Sequence, residues 1–131
     1  MLINRKVDYA LRVLSFLAAT DGMVTTSQLS KKLKISKLFL AKIINELANK
    51  GVVGSKKGRS GGIVLKDPKT SVKRVILMFD PDISLNRCLK KGGKCFLDRQ
   101  CLMHKMLEEA QNDLFMKLDS VSLENIALKG R

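Results

Sequence analysis

The chain has 131 residues, which fits one domain or one small domain with an appendage. Its hydrophobic content of 45% supports a folded core, and its glycine and proline contents exclude a fibrous or disordered protein. The apolar runs are far shorter than the ~18 residues of a membrane span, and the N-terminus lacks a signal-peptide cleavage site. We therefore expect a cytoplasmic protein without a membrane partner.

The positive charge is concentrated in the first part of the chain. Residues 1–75 carry 16 Lys and Arg against 4 Asp and Glu, a net charge of +12, whereas residues 76–131 carry 9 against 8. A lysine-rich solvated surface would explain a single charged run, but an excess confined to one half indicates an anionic partner, most simply nucleic acid. Because aromatic residues make up only 5% of the chain, stacking on single strands is disfavoured and duplex DNA is expected.

The first half of the chain has the pattern of a helix-turn-helix. A helix over residues 5–20 is predicted from apolar residues at three- and four-residue spacing: Val7, Ala10, Leu11, Leu14, Leu17 and Ala18. A short helix capped within residues 25–27 follows. The next helix is longer, with the N-cap Ser36, a left-handed C-terminal residue, Gly51, and an apolar stripe of Leu40, Ile43, Ile44 and Leu47. A short helix, a tight turn and a lysine-bearing helix are the layout of a DNA-binding helix-turn-helix.

A hairpin is predicted directly after this motif. Two short β-branched runs, residues 52–53 and 63–65, flank a cationic segment rich in glycine. An ordinary exposed β-turn is the alternative, but the position after a basic helix-turn-helix favours the wing of a winged helix. The predicted fold is therefore mainly α with a small β-hairpin wing.

The DNA contacts are expected from three places in this half. The start and outer face of the third helix would meet the major groove, the start of the second helix would bind a phosphate, and the wing tip would reach the minor groove. The candidate DNA-binding residues are Thr26, Ser27, Ser36, Lys37, Lys42, Lys56, Lys57 and Arg59.

Two further helices are predicted in the second half. A short helix over residues 71–80 begins at the cap Ser71, and a long helix runs from about Arg99 to Leu118, with a last short helix starting at Ser122. The long helix has a narrow apolar stripe formed by Met103, Leu107, Ala110, Leu114 and Leu118. Such a stripe predicts a dimerisation helix, the alternative being packing onto the chain's own winged helix. We therefore expect a winged-helix DNA-binding domain over residues 1–80, and a sensor loop with the dimerisation helix over residues 81–131.

All three cysteines and the only histidine lie in the segment RCLKKGGKCFLDRQCLMH, residues 87–104. Cys101 and His104 are three residues apart and would share a helix face if the helix begins near Arg99. In a reducing cytosol a disulfide framework is disfavoured. An iron–sulfur cluster, a zinc site and thiol redox chemistry remain open, although the spacing lacks the short Cys-x₂₋₄-Cys knuckle of structural zinc sites. Three buried apolar cysteines are the structural alternative. Catalysis is disfavoured because no third residue would orient a Cys–His pair, so we expect no enzyme.

The segments RKVDYALRVLSFLA and ELANKGVVGSKKGRSGGIVLKD, with three cysteines before a long helix, resemble the IscR/NsrR-type winged-helix regulators of the Rrf family. The resemblance covers nearly the whole chain. It implies a homodimeric bacterial transcription regulator, such as a repressor, that binds a palindromic operator. It also implies that the protein senses iron–sulfur status, nitric oxide or redox conditions through a cluster, with [2Fe–2S] favoured over [4Fe–4S].

By this resemblance Cys88, Cys95 and Cys101 would be cluster ligands. The fourth ligand would be His104, as in IscR-like proteins, or the partner subunit's Asp8, as in some NsrR-like proteins, and the helical spacing favours His104. The family also contains cluster-free repressors that act with a partner protein. A zinc-stabilised or cluster-free repressor of the same fold therefore remains the alternative, followed by a thiol redox protein.

Overall fold

The computed structural model describes residues 3–56, 61–90, 92–93 and 101–128. Five α-helices and one two-stranded antiparallel hairpin form this part of the chain, which confirms the predicted mainly helical fold with a β-hairpin wing. The elements in chain order are α1 (Arg5–Ala18), α2 (Thr26–Leu33), α3 (Lys37–Asn49), β1 (Val53–Lys56), β2 (Gly62–Leu65), α4 (Val72–Phe79) and α5 (Leu102–Ser120), with 3₁₀ turns at Arg87–Leu89 and Leu123–Ile126.

Local side-chain caps explain where the helices begin. The side chains of Thr25, Ser36 and Ser71 each accept a hydrogen bond from the backbone amide three residues further on, at 3.1, 3.3 and 3.1 Å. The caps predicted at Ser36 and Ser71 are confirmed. At the second helix Thr25 is the cap, and it forms a capping box with Gln28. Gly51 follows α3 with a φ of +78°, the left-handed conformation that glycine adopts without strain.

The main core lies where α1, α3 and the hairpin meet. The buried stripe predicted for α3, which consists of Leu40, Ile43, Ile44 and Leu47, is confirmed. On α1 the buried residues are Val7, Ala10, Val13, Leu14, Ser15 and Leu17. Val13 was not among the residues predicted for this face, because the buried face of α1 is wider than a stripe of three- and four-residue spacing.

The hairpin is attached to the helix-turn-helix through backbone hydrogen bonds. Its two strands pair in register from Val53 opposite Leu65 to Lys56 opposite Gly62. On the outer edge of β2, Ile63 pairs with Val24, which precedes α2. The Ile63 amide donates to Val24 at 2.7 Å and its carbonyl accepts from Val24 at 3.0 Å. The position of the wing is therefore tied to the loop before α2.

The C-terminal part returns to the first helix. A second apolar cluster of Val7, Val72, Ile76 and Ile83 is covered by side chains that include Phe115 and Leu118 of α5. After α5, Ser122 forms a bridge with Ser71, and Leu123 is fully buried in the main core. The 3₁₀ turn after α5 therefore packs on α1, and α5 itself lies against α4.

The long helix differs in detail from its prediction. Its first helical residue is Leu102, and residues 94–100, which include the predicted start at Arg99, lie outside the described residues. Of the predicted stripe, Leu107, Leu114 and Leu118 are half-buried against the chain itself, whereas Met103 and Ala110 are exposed. Across residues 102–120 of this chain α5 has no fully buried residue. None of the helices in the described ranges is long and apolar enough to cross a bilayer.

Candidate DNA interface and cysteine site

The exposed face of α3 is the surface that the helix-turn-helix offers to a partner. Opposite the buried stripe, residues Lys37, Leu38, Ala41, Lys42 and Asn45 are all exposed. Ser36, Lys37 and Lys42, which the sequence indicated, lie at the start or on the outer face of this helix. Ala41 and Asn45 were missed, although Ala41 lies three residues beyond Leu38 and Asn45 four beyond Ala41, which places them on the same helix face.

A groove separates this face from the hairpin. It has a volume of about 310 Å³ and is lined by residues that include Thr26, Asn45 and Lys56. Thr26 is half-buried in the first turn of α2, whereas Ser27 and Lys56 are exposed. The start of α2, the middle of α3 and the end of β1 therefore line one groove. Lys57 and Arg59 lie outside the described residues.

Contacts with α1 hold the start of α3 in place. The rings of Tyr9 and Phe39 meet edge to face, with centroids 5.4 Å apart and an interplanar angle of 89°. Further along the helix, Lys6 and Glu46 form an ion pair at 2.7 Å, and both side chains remain partly exposed. The aromatic contact stabilises the position of α3 more than the ion pair does, because solvent screens an exposed ion pair.

The first of the cysteines lies in a turn that packs on α5. Cys88 is in the 3₁₀ turn Arg87–Leu89, and its sulfur accepts a hydrogen bond from the Asn86 side chain at 3.6 Å. This turn contacts α5, and the Leu85 amide before it donates to the Gln111 side chain at 2.8 Å. The turn is therefore attached to the helix that follows the cysteine segment.

Cys101 is the N-cap of α5. Its sulfur accepts a hydrogen bond from the His104 amide at 3.4 Å, so the thiol lies over the first turn of the helix. Cys88 and Cys101 are both free thiols and half-buried. Cys95 lies outside the described residues.

Both candidates for a fourth ligand have a charged neighbour. His104 Nε2 lies 3.3 Å from a Glu108 carboxylate oxygen one turn further along α5. The Asp8 carboxylate is held by the Arg12 guanidinium through two contacts, at 3.0 and 3.1 Å. An acidic neighbour orients a histidine that uses its other nitrogen as a metal ligand. The cationic neighbour of Asp8, by contrast, competes for the oxygens that a metal would need.

The donor types present fit a thiolate- and imidazole-bound metal group. Two thiols and one imidazole are ligands found in iron–sulfur and zinc sites. Within the residues that the structure describes, no three His, Cys, Asp or Glu side chains are gathered as a metal site. The third thiol of the expected set, Cys95, belongs to the part of the segment that is not described.

Comparison with known proteins relates this arrangement to transcriptional regulators. NsrR of Bacillus licheniformis, an HTH-type transcriptional regulator, is 32% identical over 133 residues, which cover 98% of this chain and 93% of that protein. Two solved structures share the fold. CymR, the global cysteine regulator of B. subtilis, has a TM-score of 0.82 at 23% identity over 97% of this chain and 96% of that one. IscR of T. potens has a TM-score of 0.73 at 21% identity and covers 96% of this chain and 85% of its own.

The family assignment rests on almost the entire chain. The sequence profile of the Rrf2 family, described as an iron-dependent transcriptional regulator, matches residues 3–129. This agrees with the basic helix-turn-helix, the hairpin and the cysteine-capped long helix. The chain belongs to the Rrf2 family of transcriptional regulators.

Proposed function

We propose that this protein is a homodimeric transcription regulator that binds a palindromic DNA operator and senses iron–sulfur or redox status through a cluster. In this proposal Cys88, Cys95, Cys101 and His104 are the cluster ligands. The observation that carries it is the combination of an exposed basic helix face on α3 with a thiol-capped helix, α5, against which a second cysteine-bearing turn packs.

The DNA-binding part of the proposal is supported by the arrangement of cations. Lys37 and Lys42 are exposed on α3, and Lys56 is exposed at the end of β1 on the same side of the molecule. Lysines so placed would bind phosphates and hold the helix in the major groove, while uncharged side chains of α3 read base edges. Lys57 and Arg59 continue the cationic run in the sequence after Lys56 and remain predicted contacts.

The choice of His104 as fourth ligand is supported by its position relative to Cys101. Both residues belong to the first turn of α5, so both come from one subunit and one rigid element. With Nε2 beside Glu108, the other ring nitrogen of His104 remains available as a ligand. When bound, an iron–sulfur cluster would supply redox chemistry whose potential depends on its ligands, and histidine ligands are known in [2Fe–2S] centres. The partner subunit's Asp8 is the alternative ligand.

Dimerisation through α5 is supported by its exposed apolar side chains. Met106 and Met116 are 57% and 72% exposed, and they lie on the side of the helix away from its half-buried residues. A second copy of α5 would cover this face. Because the cysteine-bearing turn and α4 both contact α5, a change at the cysteines would shift this helix and alter the spacing of the two α3 helices.

Anaerobic purification with absorption spectroscopy and iron, sulfide and zinc analysis tests the proposal. The expected result is visible iron–sulfide absorption with iron and sulfide in equal amounts. Cys101→Ala should lose this absorption, and His104→Ala should alter or lose it, whereas Asp8→Ala should retain it. Stoichiometric zinc without iron–sulfide absorption would contradict the sensor proposal and favour a zinc-stabilised regulator. Thiol-dependent turnover without DNA binding would favour a redox protein.

A further inference from the structure

The first turn of α3 carries an apolar side chain that the fold does not cover. Leu38 is 82% exposed, the highest value among the exposed large hydrophobic residues of the described chain. Its neighbours in sequence are Lys37, which is exposed, and Phe39, which packs on Tyr9. Leu38 therefore contributes nothing to the core, although a leucine so exposed has an unfavourable hydration free energy.

The surroundings of Leu38 determine what can cover it. Lys37 and Lys42 flank it on the helix surface, and the groove lined by Asn45 lies on the side towards the hairpin. An apolar protein surface would have to desolvate these lysines, whereas a duplex would pair them with phosphates. A lone leucine between cations fits a small apolar group within an anionic surface.

The major groove presents one such group, the 5-methyl of thymine, and an apolar side chain at the start of a recognition helix can contact it. We propose that Leu38 is a specificity residue that reads a thymine methyl group in each half-site. This inference rests on the DNA-binding function proposed above. It adds recognition of a specific base, which lysine–phosphate contacts cannot provide. Asn45 and Ala41 complete the uncharged face beside it.

The test begins with selection of duplexes from a random library by the purified full-length protein. Each thymine of the enriched site is then replaced by deoxyuridine, which differs only by the missing methyl group. Leu38→Ala is compared with Leu128→Ala, which truncates a 42% exposed leucine outside both α3 and α5. Because neither side chain is buried, both variants should fold, and circular dichroism checks this.

When the contacted thymine of one half-site is replaced by deoxyuridine, the affinity of the wild-type protein should fall about fourfold, the effect of removing one methyl group from an apolar contact. Replacement in both half-sites should cost about fifteenfold. Leu38→Ala should bind the thymine and deoxyuridine duplexes equally, and Leu128→Ala should keep the wild-type ratio. Insensitivity of the wild type at every thymine, or an unchanged ratio in Leu38→Ala, would overturn the inference. Failure to enrich any sequence would instead overturn the proposed operator binding.

Discussion

Replacement of Gly62 by alanine tests whether the hairpin is held against the helix-turn-helix by close backbone approach. Gly62 begins β2 directly before Ile63, whose amide and carbonyl exchange hydrogen bonds of 2.7 and 3.0 Å with Val24. An added Cβ would lie 2.9 Å from the Val24 carbonyl oxygen and 3.0 Å from the Met23 Cβ. Neither atom is at the end of a flexible side chain, so β2 must withdraw and the two hydrogen bonds must lengthen.

The size of the effect follows from this geometry. Forcing an extra carbon into a filled space costs about 1–3 kcal/mol, and a weakened hydrogen bond adds about 1 kcal/mol at most. We expect Gly62→Ala to lower the free energy of unfolding by about 2 kcal/mol, a large fraction of the ~5–15 kcal/mol that stabilises a typical domain. Affinity for the operator should also fall, because the wing is displaced from the groove beside α3.

The matched control is Gly54→Ala on the partner strand. There an added Cβ meets the far end of the Lys66 side chain, at 3.1 Å, which can swing away. Its free energy of unfolding should stay within about 0.5 kcal/mol of the wild type. Urea unfolding followed by circular dichroism measures both variants. Equal midpoints for the two variants would refute the view that the wing is fixed by its contact with Val24.

Four further substitutions test other parts of the account. Leu123→Ala empties a fully buried position and should lower the free energy of unfolding, measured in urea, by about 3 kcal/mol. Leu128→Ala truncates a 42% exposed side chain and should lower it far less. Equal losses in the two variants would contradict the role of Leu123 in holding the segment after α5 in the core. Thr25→Ala removes the capping box and should cost about 1 kcal/mol in thermal unfolding, with serine at this position restoring it. Lys42→Gln should reduce the slope of log affinity against log salt concentration by about 1 in operator titrations, and an unchanged slope would exclude a phosphate contact. Met106→Glu should shift the mass in light scattering from dimer to monomer, so a persistent dimer would argue against the exposed face of α5 as the interface.

The helices of the first half could be predicted because their signals are local. A cap residue such as Ser36 or Ser71 is followed within a few positions by the apolar stripe that it starts, and both features are visible in the sequence. The exposed face of α3 follows from the same periodicity, since the residues between the buried ones must face away. Most of the candidate DNA interface was therefore accessible to sequence reasoning.

The contacts that connect distant segments were not accessible in this way. The bridge between Val24 and Ile63 and the burial of Leu123 join residues far apart in the chain, and neither has a local sequence signature. On α5 the apolar residues alone did not indicate which face turns inward, because His104 and Gln111 share the inner side with Leu107. A polar residue on that side obscures the stripe that periodicity depends on.

The cysteine residues could be singled out from the sequence, but their local structure could not. Spacing indicated that Cys101 and His104 share a helix face. The structure instead places Cys101 at the N-cap, where its sulfur accepts a hydrogen bond from the His104 amide. A cap position depends on where the helix begins, which the glycine- and lysine-rich segment before it does not define. The DNA-contacting role of Lys57 and Arg59 and the ligand role of Cys95 remain predictions.

In the proposed mechanism the state of the cysteine site controls DNA binding. The most direct test measures the affinity of one anaerobic preparation for its selected operator before and after the bound metal is removed by a chelator and oxidant, with Cys101→Ala as the cluster-free reference. Removal should change the operator affinity at least tenfold, the treated protein should match Cys101→Ala, and circular dichroism should stay unchanged. The same affinity before and after removal of a demonstrated cluster would contradict this mechanism.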